Sequence, residues 1–93
     1  MEDSEFEWND EKAKSNFKKH AVSFEEAATI FNDPAIATIS DPDHLIDEER
    51  YISIGISVMQ RLLIVVHIDL NNRIRLIGSR KANKAERKNY DKS

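Results

Sequence analysis

The 93-residue chain has no cysteine, two glycines, two prolines and one tryptophan. Without thiols there is no disulfide framework, no thiolate nucleophile and no cysteine-ligated zinc. Gly55 and Gly78 stand far apart, so neither a glycine-rich phosphate loop nor a Gly-x-Ser-x-Gly elbow can be built. The longest apolar run, Leu62 to Val66, is far short of the roughly 20 residues a membrane helix needs. The opening MEDSEFEWND is acidic and lacks an apolar h-region, so a cytoplasmic protein without a membrane partner is expected. His20, His44 and His67 do not have metal-ligand spacing, and neither a metal nor a cofactor is expected.

What is present is an ordinary globular balance, 40% hydrophobic and 33% charged. At this length a second core could not bury enough apolar surface, so residues 1–93 are read as one domain. The net charge of −3 conceals an asymmetry. From Arg73 onward eight Lys/Arg face two Asp/Glu, a net +6, whereas up to Asn72 six face fifteen, a net −9. A concentrated basic end can bind phosphates locally, and it can equally be a solvated helix face. The acidic remainder suits a basic protein segment, most simply around Asp41 to Glu49.

Periodicity orders the elements. Phe6 and Trp8 alternate with glutamates as a short strand does, and Asn9 or Asp10 can cap a helix to about Lys19. In that helix Ala13 and Phe17 are predicted to face the core, and Lys12, Asn16 and Lys19 to share a polar face. Ser23 with Glu26 reads as a capping box, Glu26 returning to the Ser23 amide. The following helix carries Phe24, Ala27, Ala28 and Phe31 as its inward stripe and ends before Pro34. Ile36 to Ile39 is a strand candidate. Ile52, Ile54 and Ile56 alternate with Ser53, Gly55 and Ser57, the period of a half-buried strand. Leu62 to Val66, apolar on both faces, is predicted to be central. Turn residues at Asp69 to Asn72 precede a strand from Arg73 to Ser79, and Asn83 with Glu86 opens a last helix to about Tyr90. The order is β-α-α-β-β-β-β-α. The class is therefore α+β, a curved antiparallel sheet packed by helices.

Two groupings can carry chemistry. Lys12, Asn16 and Lys19 with His20 place three donors and a titratable imidazole within nine residues, enough to grip a phosphate and relay a proton. The same residues also make a plain exposed helix face. In the Arg73 strand, alternation sends Arg73, Arg75, Ile77 and Ser79 one way and Ile74, Leu76 and Gly78 the other. Guanidinium forks grip phosphate oxygens in pairs and stabilise charge rather than move protons, although they also salt-bridge. Arg80 lies at the strand-to-helix junction. Glu48, Glu49 and Arg50 can join either grouping, and His67 reads as a packed core residue.

Taken together, these segments resemble the BrnT family of toxins from about Phe6 to Tyr90. The resemblance rests on Trp8-Asn9, Lys12, Asn16, Lys19-His20 and Ala21-Val22-Ser23-Phe24. It continues through Glu49-Arg50-Tyr51, Ile54-Gly55 and Val65-Val66, and closes on Arg75, Gly78-Ser79-Arg80-Lys81-Ala82, Glu86-Arg87 and Tyr90. Asn9 stands where the family has Asp, Ala21 where it has Gly, and Gly78-Ser79 where it has Ser-Ala, which moves the hydroxyl by one residue. The resemblance implies a RelE-like fold and metal-free, ribosome-independent RNA cleavage by 2′-hydroxyl attack. It also implies a ribbon-helix-helix antitoxin, through which a hetero-oligomer reaches operator DNA. On this reading Arg75 and Arg80 stabilise charge, and Lys12, Lys19, Asn16 and Lys81 hold RNA. His20 is the acid or base, with Glu49 the alternative. Two rivals remain: a non-catalytic module of the same fold that binds antitoxin or nucleic acid, and a direct DNA-binding regulator. No helix-turn-helix spacing supports the latter.

Overall fold

The computed structural model describes residues 5–41 and 49–92. Helix α1 (Asp10–His20) starts because Asn9 Oδ1 accepts the Lys12 amide at 3.0 Å. Acidic residues fill its first turn and basic ones its last, complementing the helix dipole. It stops at Ala21, which takes the left-handed conformation (φ 58°) and donates its amide to the Phe17 carbonyl at 2.8 Å. A side chain at that φ is strained by about 1 kcal/mol relative to the glycine the family resemblance anticipates. Phe17 does not face the core as predicted but is 57% exposed. Helix α1 has no buried residue and touches the sheet through Asn16, on another side of its axis.

Helix α2 (Phe24–Ala28) begins on Ser23, whose Oγ accepts the Glu26 amide at 3.0 Å. The box is not reciprocal, and the expected return bond of Glu26 is replaced. Its carboxylate instead takes Nε and Nη2 of Arg61 and the Ser57 hydroxyl. A charged donor from the β-hairpin outcompetes the helix's own amide. The chain then tightens into a 3₁₀ turn, Thr29–Asn32, before Pro34. Tightening shifts the inward phase, so Ile30 is fully buried and Phe31 only half-buried.

Five strands follow the predicted order: β1 (Phe6–Glu7), β2 (Ala37–Ser40), β3 (Arg50–Ile56), β4 (Leu62–Asp69) and β5 (Ile74–Lys81). They form one sheet in the order β1-β5-β4-β3-β2, with helix α3 (Lys84–Lys92) last in the chain. Pairing is antiparallel throughout β2 to β5, while the two-residue β1 runs parallel to β5. Strand β4 is central, as its double-sided apolar run requires.

The core is one cluster: Val22, Phe24, Ala27, Ile30, Leu63, Val65 and Leu76 between α2 and the sheet. Strand β3 turns its small residues to this core, with Ser53, Gly55 and, just past its end, Ser57 buried and Ile52, Ile54 and Ile56 on the other side. The reason is space. A Cβ on Gly55 would sit 3.2 Å from Ile30 Cβ, so glycine lets the 3₁₀ turn lie against the strand. Ile52 and Ile54 form an apolar groove on the outer face with Ile39 and Ile64. Helix α3 spans that face, fixed by Tyr90 donating to Asp33 at 2.5 Å and by Arg80 paired with Glu86.

Candidate active site

A β-bulge decides which β5 side chains meet. Register runs from His67↔Leu76 to Val66↔Gly78 and skips Ile77. The extra residue re-aims everything beyond it. Leu76 and Ser79 therefore both face α1 and α2, correcting the simple alternation that placed them on opposite sides. Ser79 is buried, and its hydroxyl donates to the Ile64 carbonyl at 2.9 Å. The moved hydroxyl is a core hydrogen bond rather than a solvent-facing group.

Before the bulge, the outer face carries a row across four strands: Glu7, Arg75, Ile68 and Arg50 are successive register partners. The chain leaves β1 through Trp8, packed edge-on against Phe24 at 5.9 Å, and enters α1 through the Asn9 cap. That path brings Lys12, in the first turn of α1, over the β5 edge. The result is an open hollow of about 420 Å³ walled by Glu7, Trp8, Lys12, Arg50, Arg75 and Ile77 among others. Glu7 Oε2 accepts from Arg75 Nε at 2.7 Å and Nη2 at 2.6 Å, while its Oε1 meets Arg73 at 3.7 Å, beyond hydrogen-bond reach. Among the described residues, three cationic side chains and one carboxylate surround a space of this size, which suits a phosphodiester. Guanidinium and ammonium groups supply positive charge, and the carboxylate supplies a proton acceptor.

The sequence candidates divide between two ends of the sheet. Lys12 and Arg75 share the hollow. Arg80 is five residues from Arg75, roughly 16 Å along the strand. Its fork is held by Glu86 at 2.9 and 2.8 Å, which lowers the Glu86 pKa and raises that of Arg80. Glu86 also closes a reciprocal box with Asn83, bonded both ways at 2.8 Å. Lys19 and His20 end α1, with His20 about 12 Å from Lys12 along the axis. Arg61 donates to the Ala21 carbonyl there, which sets that end beside the close of β5, where Lys81 is exposed. Asn16 is occupied: Nδ2 donates to the Val22 and Ser79 carbonyls at 3.0 and 2.9 Å, and Oδ1 accepts the Ser79 amide at 3.0 Å. Glu49 accepts the Tyr51 hydroxyl at 2.8 Å, which also raises the Tyr51 pKa. Glu48 and His44 lie outside the described residues.

His67 is a packed core group, buried and bonded through both nitrogens, Nδ1 to Asp69 at 2.8 Å and Nε2 to Ser53 Oγ at 2.7 Å. Thr38 Oγ1 continues the chain to Ser53 at 2.6 Å. The order Asp-His-Ser has the look of a catalytic triad, but Ser53 is fully buried and no substrate can reach it. Sequence reasoning left Glu7 out of the site. Alternation with Phe6 could have placed it outward, but only its parallel pairing with β5 shows that it meets Arg75.

Comparison with known proteins agrees with this architecture. Residues 8–86 match the model of a family described as "Ribonuclease toxin, BrnT, of type II toxin-antitoxin system". The crystal structure of the Brucella abortus ribonuclease toxin BrnT superposes with a TM-score of 0.63 at 17% identity, covering 86% of this chain and 97% of that one. No match is found among curated proteins.

Proposed function

The chain belongs to the BrnT family of ribonuclease toxins of type II toxin-antitoxin systems, and from that premise we propose that it is a single-domain endoribonuclease working at the Lys12–Arg50–Arg75 hollow. The RNA 2′-hydroxyl attacks the adjacent phosphate, so the protein has to supply charge, orientation and proton transfer, without the ribosome or a metal ion. Arg75 stabilises the charge that develops on the phosphorane, with Arg50 beside it and Lys12 holding the phosphate. The observation that carries this reading is the convergence of these three cations, from three different elements, on one hollow. Lys19 and Lys81, at the far end of the sheet, are suited to more distant RNA phosphates. A ribbon-helix-helix antitoxin neutralises the toxin and carries the hetero-oligomer to operator DNA.

The test is cleavage of single-stranded RNA by purified protein. Arg75→Ala lowers the rate by about a hundredfold or more while the fold persists. Arg80→Ala, whose fork braces α3 through Glu86, has the smaller effect on rate and the larger on stability. Intact cleavage in a folded Arg75→Ala variant removes the hollow as the site. The non-catalytic reading has one observation in its favour, that both arginine forks are already paired, with Glu7 and Glu86. It requires wild-type protein that leaves RNA intact.

A further inference from the structure

We propose that Glu7 is the general base of the cleavage reaction, an assignment that rests on the hollow being the site. Neither acid-base candidate from the sequence serves that position. His20 lies at the other end of α1. Glu49 is held by Tyr51, which pairs with His67 and stacks on its ring on the α2 side of the sheet, opposite to the face that Arg50 presents. Among the described residues, Glu7 is the one carboxylate in the lining of the hollow. Its side chain is 29% exposed, open to substrate while anchored.

The anchoring is asymmetric, and that gives the two oxygens separate tasks. Oε2 takes both Arg75 contacts and sets the carboxylate beside the guanidinium that meets the phosphate. Oε1, with Arg73 at 3.7 Å, keeps lone pairs for an incoming hydroxyl. Among the described residues, the charged groups around this carboxylate are Arg73 just before β5, Arg75 on β5, Lys12 on α1 and Arg50 on β3.

The step balances without a co-reactant. The 2′-O–H proton passes to Glu7 Oε1 as the 2′-oxygen bonds to phosphorus. The bond from phosphorus to the 5′-oxygen breaks, and the leaving oxygen takes a proton from the Lys12 ammonium. The products are a 2′,3′-cyclic phosphate and a 5′-hydroxyl, after which Glu7 returns a proton to water and Lys12 regains one.

The experiment uses the full chain and a short single-stranded RNA containing all four nucleotides. Single-turnover cleavage is followed across pH for wild type, Glu7→Gln and Glu7→Asp, and binding is measured on the uncleavable 2′-deoxy analogue. Glu7→Gln is expected to lose about 10²- to 10⁴-fold in rate. It should bind the analogue no less tightly, and it should lose the fall in rate on the acid side that wild type shows as its base gains a proton. Glu7→Asp, with the same group on a shorter stem, keeps part of the rate and the acid-side fall. Two results overturn the assignment: cleavage by Glu7→Gln within a few-fold of wild type, or a slowed variant whose acid-side fall persists, which would make Glu7 a brace for Arg75. If Arg75→Ala also cleaves normally, the siting fails. If Arg75→Ala is dead while Glu7→Gln is active, the base assignment alone fails.

Discussion

Replacing Asn16 with alanine should unfold this protein early rather than weaken its grip on RNA. Among the described residues, β1 pairs with β5 only at Ile74 and Arg75 and no strand lies beside the outer edge of β5 at Ser79. The Asn16 carboxamide takes that place, one oxygen and one nitrogen meeting the Ser79 amide and carbonyl as a peptide group would. Its second N–H closes the Val22 carbonyl just beyond α1. Alanine removes three hydrogen bonds in a half-buried setting. At about 0.5–1.5 kcal/mol net for each, the expected loss is about 2–4 kcal/mol. For a domain of this size that is a fall in Tm of about 10–20 °C. Urea unfolding followed by far-ultraviolet circular dichroism measures it, with m unchanged if the denatured state is unaffected. Asn16→Asp sharpens the test, because a carboxylate oxygen would then face the Val22 and Ser79 carbonyls. The folded state raises the pKa of that introduced group, so its penalty is full at neutral pH and shrinks on acidification, when a protonated acid can donate to one carbonyl. A folded Asn16→Ala protein within about 0.5 kcal/mol of wild type, but defective in RNA binding, refutes the reasoning.

Two further predictions follow from titratable groups. Burial, opposed by Asp69, holds the His67 pKa below its usual 6.5, so the unfolded chain takes up this proton first on acidification. The stability tied to the neutral ring is therefore full above 6.5 and is lost as pH falls below it. The urea midpoint of wild type should drop across that interval more steeply than that of His67→Asn, and parallel curves would contradict this. Tyr90 donates to the Asp33 carboxylate, and its pKa is pushed up to about 12. The stability from this bond is full below the ordinary tyrosine value of 10.0 and is lost as pH rises toward 12. In a tyrosinate absorbance titration, Tyr90→Phe should remove the step near 12, and persistence of that step would reassign it to Tyr51.

The sequence was most readable where structure is local. The Asn9 cap of α1, the Ser23 cap of α2 and the reciprocal Asn83–Glu86 box all join residues three apart, and each forms. Element order and the central position of β4 follow from periodicity and from an apolar run with no solvent face. The misreadings are also physical. Phe17 was placed inward because four-residue spacing from Ala13 suggests an apolar stripe, yet α1 seats itself through the Asn16 amide. Alternation in β3 did not say which face is which: its isoleucines turn away from α2, toward α3, because the α2 side has room only for serine and glycine. Ser79 changed face because a bulge cannot be seen in an alternating pattern.

The sequence by itself determined the class, the strand order along the chain, the family resemblance and the residue types available for phosphate chemistry, because each depends on short-range pattern or on composition. Only the tertiary structure decided which of those residues meet. Glu7 reaches Arg75 across 68 positions, Asn16 reaches Ser79 across 63 and Arg61 reaches Glu26 across 35. Such pairings are fixed by sheet register, by the β5 bulge and by the packing of α2, which depend on the whole chain closing over one core. A candidate list spread along the sequence thereby became two ends of a sheet, with the Lys12–Arg75 hollow at one of them.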